Sequence, residues 1–279
     1  MKNHVTNIEE YKSVKKETKS KFSETISEKL VVPELLQKKE LEKLSDGLSY
    51  EQFYFVVDVK EMKIIYADGL EEIGFNSQTF EMTQYVNSLP SKGILQLLTL
   101  LWFKIFEYCE KEKNVLKFLS PKYIVQIPMK NANSKIMLVK RTISPFQFSE
   151  NGKIAQYLSE FNIIKFSFDN EPPSPRFIHL PESILTKKAE FLDIIPPFDF
   201  LPFSPKEKQI LEIYSNDITK KSTKELAEIA KVTPATLQFY NKMILANTRE
   251  FLGEIYQFES AKQVAHFFKN CVITNQQGI

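Results

Sequence analysis

Phe203-Ser-Pro-Lys-Glu-Lys-Gln-Ile-Leu-Glu-Ile-Tyr214 and, after a polar loop, Thr223-Lys-Glu-Leu-Ala-Glu-Ile-Ala-Lys-Val-Thr-Pro-Ala-Thr-Leu-Gln-Phe-Tyr240 read as three short helices in succession. Ser204 is an N-cap, Pro205 suits the first helical position, and Glu207 completes a capping box that satisfies the exposed N–H groups of the first turn. Ser222 and Glu225 repeat that spacing, and Thr233-Pro234 opens the third helix without the glutamate. Ile210, Ile213 and Tyr214, then Leu226, Ala227, Ile229 and Ala230, then Leu237, Tyr240 and Ile244 recur at helical spacing and are expected to close one small core. Ala227 and Ala230 are small enough to let two helices approach closely.

A helix, a second helix, a tight turn and a third helix make the layout of a helix-turn-helix. Residues 203–271 resemble the LuxR/GerE-type DNA-binding domain of bacterial transcription regulators. The matching features are Ser-Pro-Lys-Glu (204–207), Glu-Leu-Ala (225–227) and Thr-Pro-Ala-Thr-Leu (233–237) running on to Met243-Ile-Leu245. The resemblance implies base contacts from Gln238, Phe239 and Lys242, flanked by Thr236 and by Arg249 near the helix end. Gln pairs with adenine, Phe touches a thymine methyl, and Lys reaches guanine or phosphate. It also implies a fourth helix used for dimer contacts. Ser260 to Asn270 takes that place, with Val264, Phe267 and Phe268 as the dimerisation stripe.

Two features depart from that pattern. The loop Asn216 to Ser222 has no glycine, and the third helix ends on Ala246-Asn-Thr-Arg249 rather than on a basic run. Residues 200–279 hold ten Lys/Arg and eight Asp/Glu, a net of only +2. Phosphate neutralisation supplies most non-specific DNA affinity. One subunit is therefore expected to bind weakly, and a homodimer on double-stranded DNA is expected to do the work.

The whole chain of 279 residues carries a formal charge of +2, so it is no polycation that coats nucleic acid indiscriminately. Its 23 Phe and 11 Tyr beside only 7 Gly argue for packed structure. Cys109 and Cys271 lie far apart, as free thiols of a reducing compartment do; Cys109 reads as buried filler or as a redox sensor. Residues 1–30 lack the apolar core of a secretory signal, and Ile94 to Phe106 is too short for a bilayer, so the expectation is a cytoplasmic protein with no membrane partner.

Upstream the pattern turns to strands. Phe53-Tyr-Phe-Val-Val-Asp-Val59 and Lys63-Ile-Ile-Tyr-Ala67 form a hairpin, helices follow through Lys111, and strands return at Tyr123–Met129, Lys135–Ile143, Ile154–Glu160 and Asn162–Phe168. Strands, helices and strands in that order resemble a PAS domain. The expected fold is α+β: a PAS-like antiparallel sheet with helices, plus a C-terminal all-α helix-turn-helix domain. The boundaries expected are 1–44 for a helical, partly disordered extension, 45–170 for the PAS-like sensor or dimerisation domain, 171–202 for a proline-rich linker with a short helix within 181–195, and 203–279 for the reader.

Such domains hold haem, flavin or small ligands, or only dimerise. His4, His179 and His266 fall outside the sensor, and Cys109 lacks a flavin-reactive context, so no cofactor is expected. Met82, Tyr85, Trp102, Phe103 and Phe106 are candidates to line a pocket for a small apolar ligand or to be plain core. No GxGxxG, P-loop, nucleophile elbow or zinc-spaced Cys/His cluster occurs, so neither catalytic residues nor a metal site are expected. The expectation is a signal-sensing transcription regulator; the alternative is a protein–protein adaptor whose helix-turn-helix no longer binds DNA.

Overall fold

The computed structural model describes residues 7–111, 116–166, 176–178, 201–217 and 221–272. They fall into two compact units, residues up to 168 with 175–186, and the remainder to the C-terminus.

The first unit is built on an antiparallel sheet of strand order β2-β1-β5-β4-β3-β6. The strands are β1 (Gln52–Asp58), β2 (Lys63–Asp68), β3 (Lys122–Lys130), β4 (Ile136–Phe148), β5 (Ile154–Lys165) and the short β6 (Arg176–Ile178). Helices α1 (Asn7–Lys21) and α2 (Glu34–Asp46) precede the sheet, and α3 (Met82–Ser88) and α4 (Lys92–Lys111) lie between β2 and β3. This is the PAS-like order expected. One difference is that the last two expected strands are a single one: β5 runs unbroken, pairing with β1 on one side and β4 on the other. Seven paired residues on β1 and a long β4 leave no room for a break at Phe161, which stacks on Phe53 at 4.5 Å. The expected linker also yields β6, whose Arg176–Ile178 pairs with Lys122–Ile124. The expected helix within 181–195, along with His4 and His179, lies outside the described residues.

Cross-strand partners share a face. Phe53, Phe55, Phe161, Ser159, Arg141 and Ile143 therefore lie on one face, and Tyr54, Val56, Leu158, Glu160 and Thr142 on the other. The second face carries a cluster of Tyr54, Val56, Phe146 and Leu158 that Leu41, Leu44 and Leu48 cover from α2 and the residues after it. The first face meets α3 and α4, as the Phe55–Tyr85 and Trp102–Tyr157 ring pairs at 5.2 Å and 4.1 Å record. The apolar run from Ile94 to Phe106 lies in α4 and is almost wholly buried there. Among the described residues no single helix is long and apolar enough to cross a membrane.

The expected N-terminal extension includes a regular helix over residues 7–21, packed on α3 and α4. Its acidic first turn (Glu9, Glu10) and basic last turn (Lys19, Lys21) suit the helix dipole. Its anchor is only Tyr11, Val14 and Thr18 at positions i, i+3 and i+7, a stripe too thin to stand out in a lysine-rich segment. Polar groups complete the docking. The Tyr11 hydroxyl donates to the Met62 carbonyl at 2.7 Å, and Asn7 Nδ2 donates to the Val86 and Leu89 carbonyls at 3.2 and 2.9 Å.

The second unit is all-helical: α5 (Pro205–Asn216), α6 (Thr223–Ile229), α7 (Pro234–Leu252) and α8 (Ala261–Val272). All three expected caps are present. The Ser204 and Ser222 amides donate to Glu207 and Glu225 at 2.8 Å each, and the Thr236 amide donates to the Thr233 hydroxyl at 3.1 Å. The turn between α6 and α7 closes by two reverse bonds, Lys231 N–H to the Glu228 carbonyl and Val232 N–H to the Ala227 carbonyl, both 3.0 Å. That pair is a Schellman motif, and it places Lys231 at φ 53°, where glycine is usual. Ile229, expected in the core, is exposed, because the helix ends there and the small Ala230 takes the inward position instead.

Candidate functional site

Among the described residues two places offer chemistry, one on each unit. The first is the outer side of α7. Leu237, Ile244, Thr248, Phe251 and Leu252 face inward and are buried. The helix is further fixed by Tyr214, whose hydroxyl donates to Asn241 Oδ1 at 2.7 Å, and by Asn247, whose Nδ2 donates to Glu207 at 2.9 Å. With that side locked, the 3.6-residue period turns Gln238, Phe239 and Lys242 to solvent. Phe239 is 58% exposed and Met243, one turn on, 39%. Thr236 is half-buried and its hydroxyl bonds that of Thr233, so it belongs to the cap as much as to the surface. Arg249 is exposed and sits 3.7 Å from Glu254, a surface pair of small energetic weight.

The stripe expected to mediate dimer contacts is not on the surface. Val264 and Phe268 are fully buried and Phe267 nearly so. Phe268 packs on Phe203 and Phe251, and Phe267 on Tyr256 and Phe258, all within their own unit. The physical reason is that α8 carries the apolar side that covers α5 and α7. Its outer residues are Gln263 and His266, while Lys262 reaches the buried Asp217 at 2.8 Å and Lys269 caps α5 at the Ser215 carbonyl at 2.9 Å. The assignment of Val264, Phe267 and Phe268 to dimerisation is therefore corrected: they are core.

The second place is a cavity of about 60 Å³ in the first unit, between the inner sheet face and the helices. Tyr11 and Val14 of α1, Met82 and Tyr85 of α3, and Leu98 and Trp102 of α4 line it. Tyr123, Arg141 and Tyr157 line it from the sheet. Three of the five expected pocket residues, Met82, Tyr85 and Trp102, are on this wall. Phe103 and Phe106 are not: they turn to Phe22, just past α1, at ring distances of 5.3 and 5.1 Å. For Phe103 that outcome follows from helical geometry, since it is about 100° from Trp102 around α4; Phe106, one turn on from Trp102, packs against that ring at 4.0 Å.

Arg141 is the residue that the sequence argument missed. It is 5% exposed. Its Nε and Nη2 donate to the Ser159 hydroxyl at 3.2 and 2.9 Å, and Nη1 donates to the Tyr85 hydroxyl at 2.8 Å. Its guanidinium lies over the Tyr85 and Phe161 rings at 5.2 and 5.5 Å. Among the described residues no carboxylate pairs with it. Strict alternation along β4 carries the signal that finds it, because Arg141 shares a face with Val139 and Ile143. Burial pushes the phenols of Tyr85 and Tyr157 upward, and the neighbouring Arg141 charge offsets part of that. Both therefore stay protonated at neutral pH.

Cys109 is buried, and burial pushes its thiol up to about 12, so it is filler rather than a reactive sensor. Among the described residues no three His, Cys, Asp or Glu side chains gather in a way that holds a metal ion.

No family model and no curated protein matches the chain. Among solved structures it is similar to several of VqmA. One is a phage VqmA–DPO complex, at 15% identity and TM-score 0.27, covering 82% of this chain and 96% of that one. Another is a Vibrio cholerae VqmA–ligand–DNA complex, at 13% identity and TM-score 0.30, covering 84% and 89%. A third is the Vibrio cholerae VqmA dimer in the absence of target DNA, described among LuxR-type receptors, at 12% identity and TM-score 0.29, covering 85% and 91%.

Proposed function

We propose that the chain is a ligand-responsive bacterial transcription regulator, working in the cytoplasm, in which α7 reads the major groove and the first unit senses a small molecule in its cavity. The observation that carries this reading is the outward row Gln238, Phe239 and Lys242 on a helix whose other side is locked into a capped, close-packed unit. A reading helix needs both a rigid back and a free polar front. The modest charge of the second unit favours a two-fold dimer on paired half-sites about one helical turn apart.

The test is selection of DNA from a random pool by the full chain, followed by binding at several salt concentrations. Lys242→Ala is expected to weaken binding to every sequence and to lower the salt slope by about one. Gln238→Ala is expected to relax preference at one base position, a loss of about 1–3 kcal/mol of discrimination. If both variants bind selected DNA as the parent does, α7 is not the reading helix.

A second reading, a protein–protein adaptor, is favoured by one observation. Phe239 and Met243 set two exposed apolar side chains one turn apart on the same face. Failure of the parent to select any DNA would favour it.

A further inference from the structure

We propose that Arg141 is an anion anchor, and that the first unit's cavity takes a compact organic acid bound through its carboxylate or an equally charged oxygen group. This rests on the reading of that cavity as the ligand site and replaces the small apolar ligand expected from the aromatic residues alone.

A guanidinium taken out of water costs several kcal/mol unless an opposite charge offsets it. Among the described residues two other charges are buried: Asp217 has a cation beside it, Lys262, and Glu207 accepts from the Asn247 side chain and the Ser204 amide. Arg141 has only hydroxyls and ring faces. Those contacts involve all three of its nitrogens, with the Tyr157 hydroxyl also in reach, and fix the plane of the fork. An arginine held in this way suits bidentate recognition of a planar oxyanion.

The rest of the wall sets the body of the ligand. Tyr85, Trp102 and Tyr157 are aromatic, and Met62, Met82 and Leu98 are apolar. That lining favours a small carbon body and gives no second cation for a dianion. A volume of about 60 Å³ is well under the roughly 150 Å³ that holds benzene, so the body is restricted to about two or three carbons.

The chain has one tryptophan, and it lines this cavity, so its fluorescence reports occupancy directly. The experiment titrates the full chain with acetate and, separately, with acetamide, which has the same small body without the charge. Acetate is expected to give a saturable change in Trp102 emission at an affinity about tenfold or more above that of acetamide, as a charge-assisted hydrogen bond provides. Arg141→Gln is expected to remove that preference, bringing the two affinities together, and Arg141→Lys to keep part of it.

Equal or tighter binding of acetamide by the parent overturns the anion anchor and leaves the cavity a site for neutral ligands. No response to either compound overturns the anchor and the ligand-site reading together. The parent's preference decides the matter even if Arg141→Gln does not fold.

Discussion

Among the described residues, the second unit ties each of its buried carboxylates to a side chain on another helix, whereas the one buried charge of the first unit meets only hydroxyls and ring faces. In the helical unit, Glu207 ties the start of α5 to α7 through Asn247, and Asp217 ties the end of α5 to α8 through Lys262. Its interior is complete, and its uncommitted groups, Gln238, Phe239 and Lys242, face outward. In the sheet unit the uncommitted group is Arg141, and it faces a cavity. The contrast teaches where each unit has chemistry left over: on the surface of the one, inside the other. It also explains why an inventory of exposed residues finds the first place and overlooks the second.

The largest expected effect tests whether the interior of the helical unit is closed. Val264→Glu places a carboxylate where the side chain has no exposure. It is expected to cost more than about 4 kcal/mol and to unfold the unit, visible as lost helical circular dichroism. A folded variant that is merely monomeric would restore α8 as a subunit contact and end the contrast.

Glu207→Ala comes next. It removes a capping-box partner and strands the Asn247 amide, an expected loss of about 2–3 kcal/mol in urea unfolding. The equivalent change at the other capping box, Glu225→Ala, lies on the surface and is expected to cost less. Equal losses at the two sites would show that the bond to Asn247 adds nothing.

On the sheet unit, Tyr11→Phe removes the buried bond that fastens α1 to the Met62 carbonyl. The expected cost is about 1 kcal/mol, with faster amide exchange confined to α1. If exchange rises across the whole sheet instead, α1 is part of the fold's main cooperative unit and not a separately docked wall of the cavity.

The smallest effect is a gain. Lys231 holds a left-handed conformation that costs an L-residue about 1 kcal/mol. Lys231→Gly is expected to stabilise the helical unit by roughly 0.5–1 kcal/mol, and a measured loss would reveal a role for the lysine side chain in the folded state.

The helical unit was legible in the sequence because its determinants are local. Ser204 with Glu207, Ser222 with Glu225, and Thr233 with Pro234 mark helix starts within a few residues, and each cap forms as its spacing implies. The outward row on α7 followed from the same 3.6-residue period. The succession of strands and helices along the chain followed too, apart from the single β5 expected as two strands, since each main strand carries its own apolar pattern. Periodicity could not say what covers an apolar stripe. Val264, Phe267 and Phe268 look the same whether α8 meets a second subunit or its own α5 and α7, and only the packed structure decides. Tyr11 and Arg141 show the same limit. One sits in a lysine-rich segment and the other beside Lys140, and both end up buried because residues distant in the chain close over them. A sequence records local conformational preference directly, but burial is a sum over partners from remote segments, and that sum exists only in the tertiary structure.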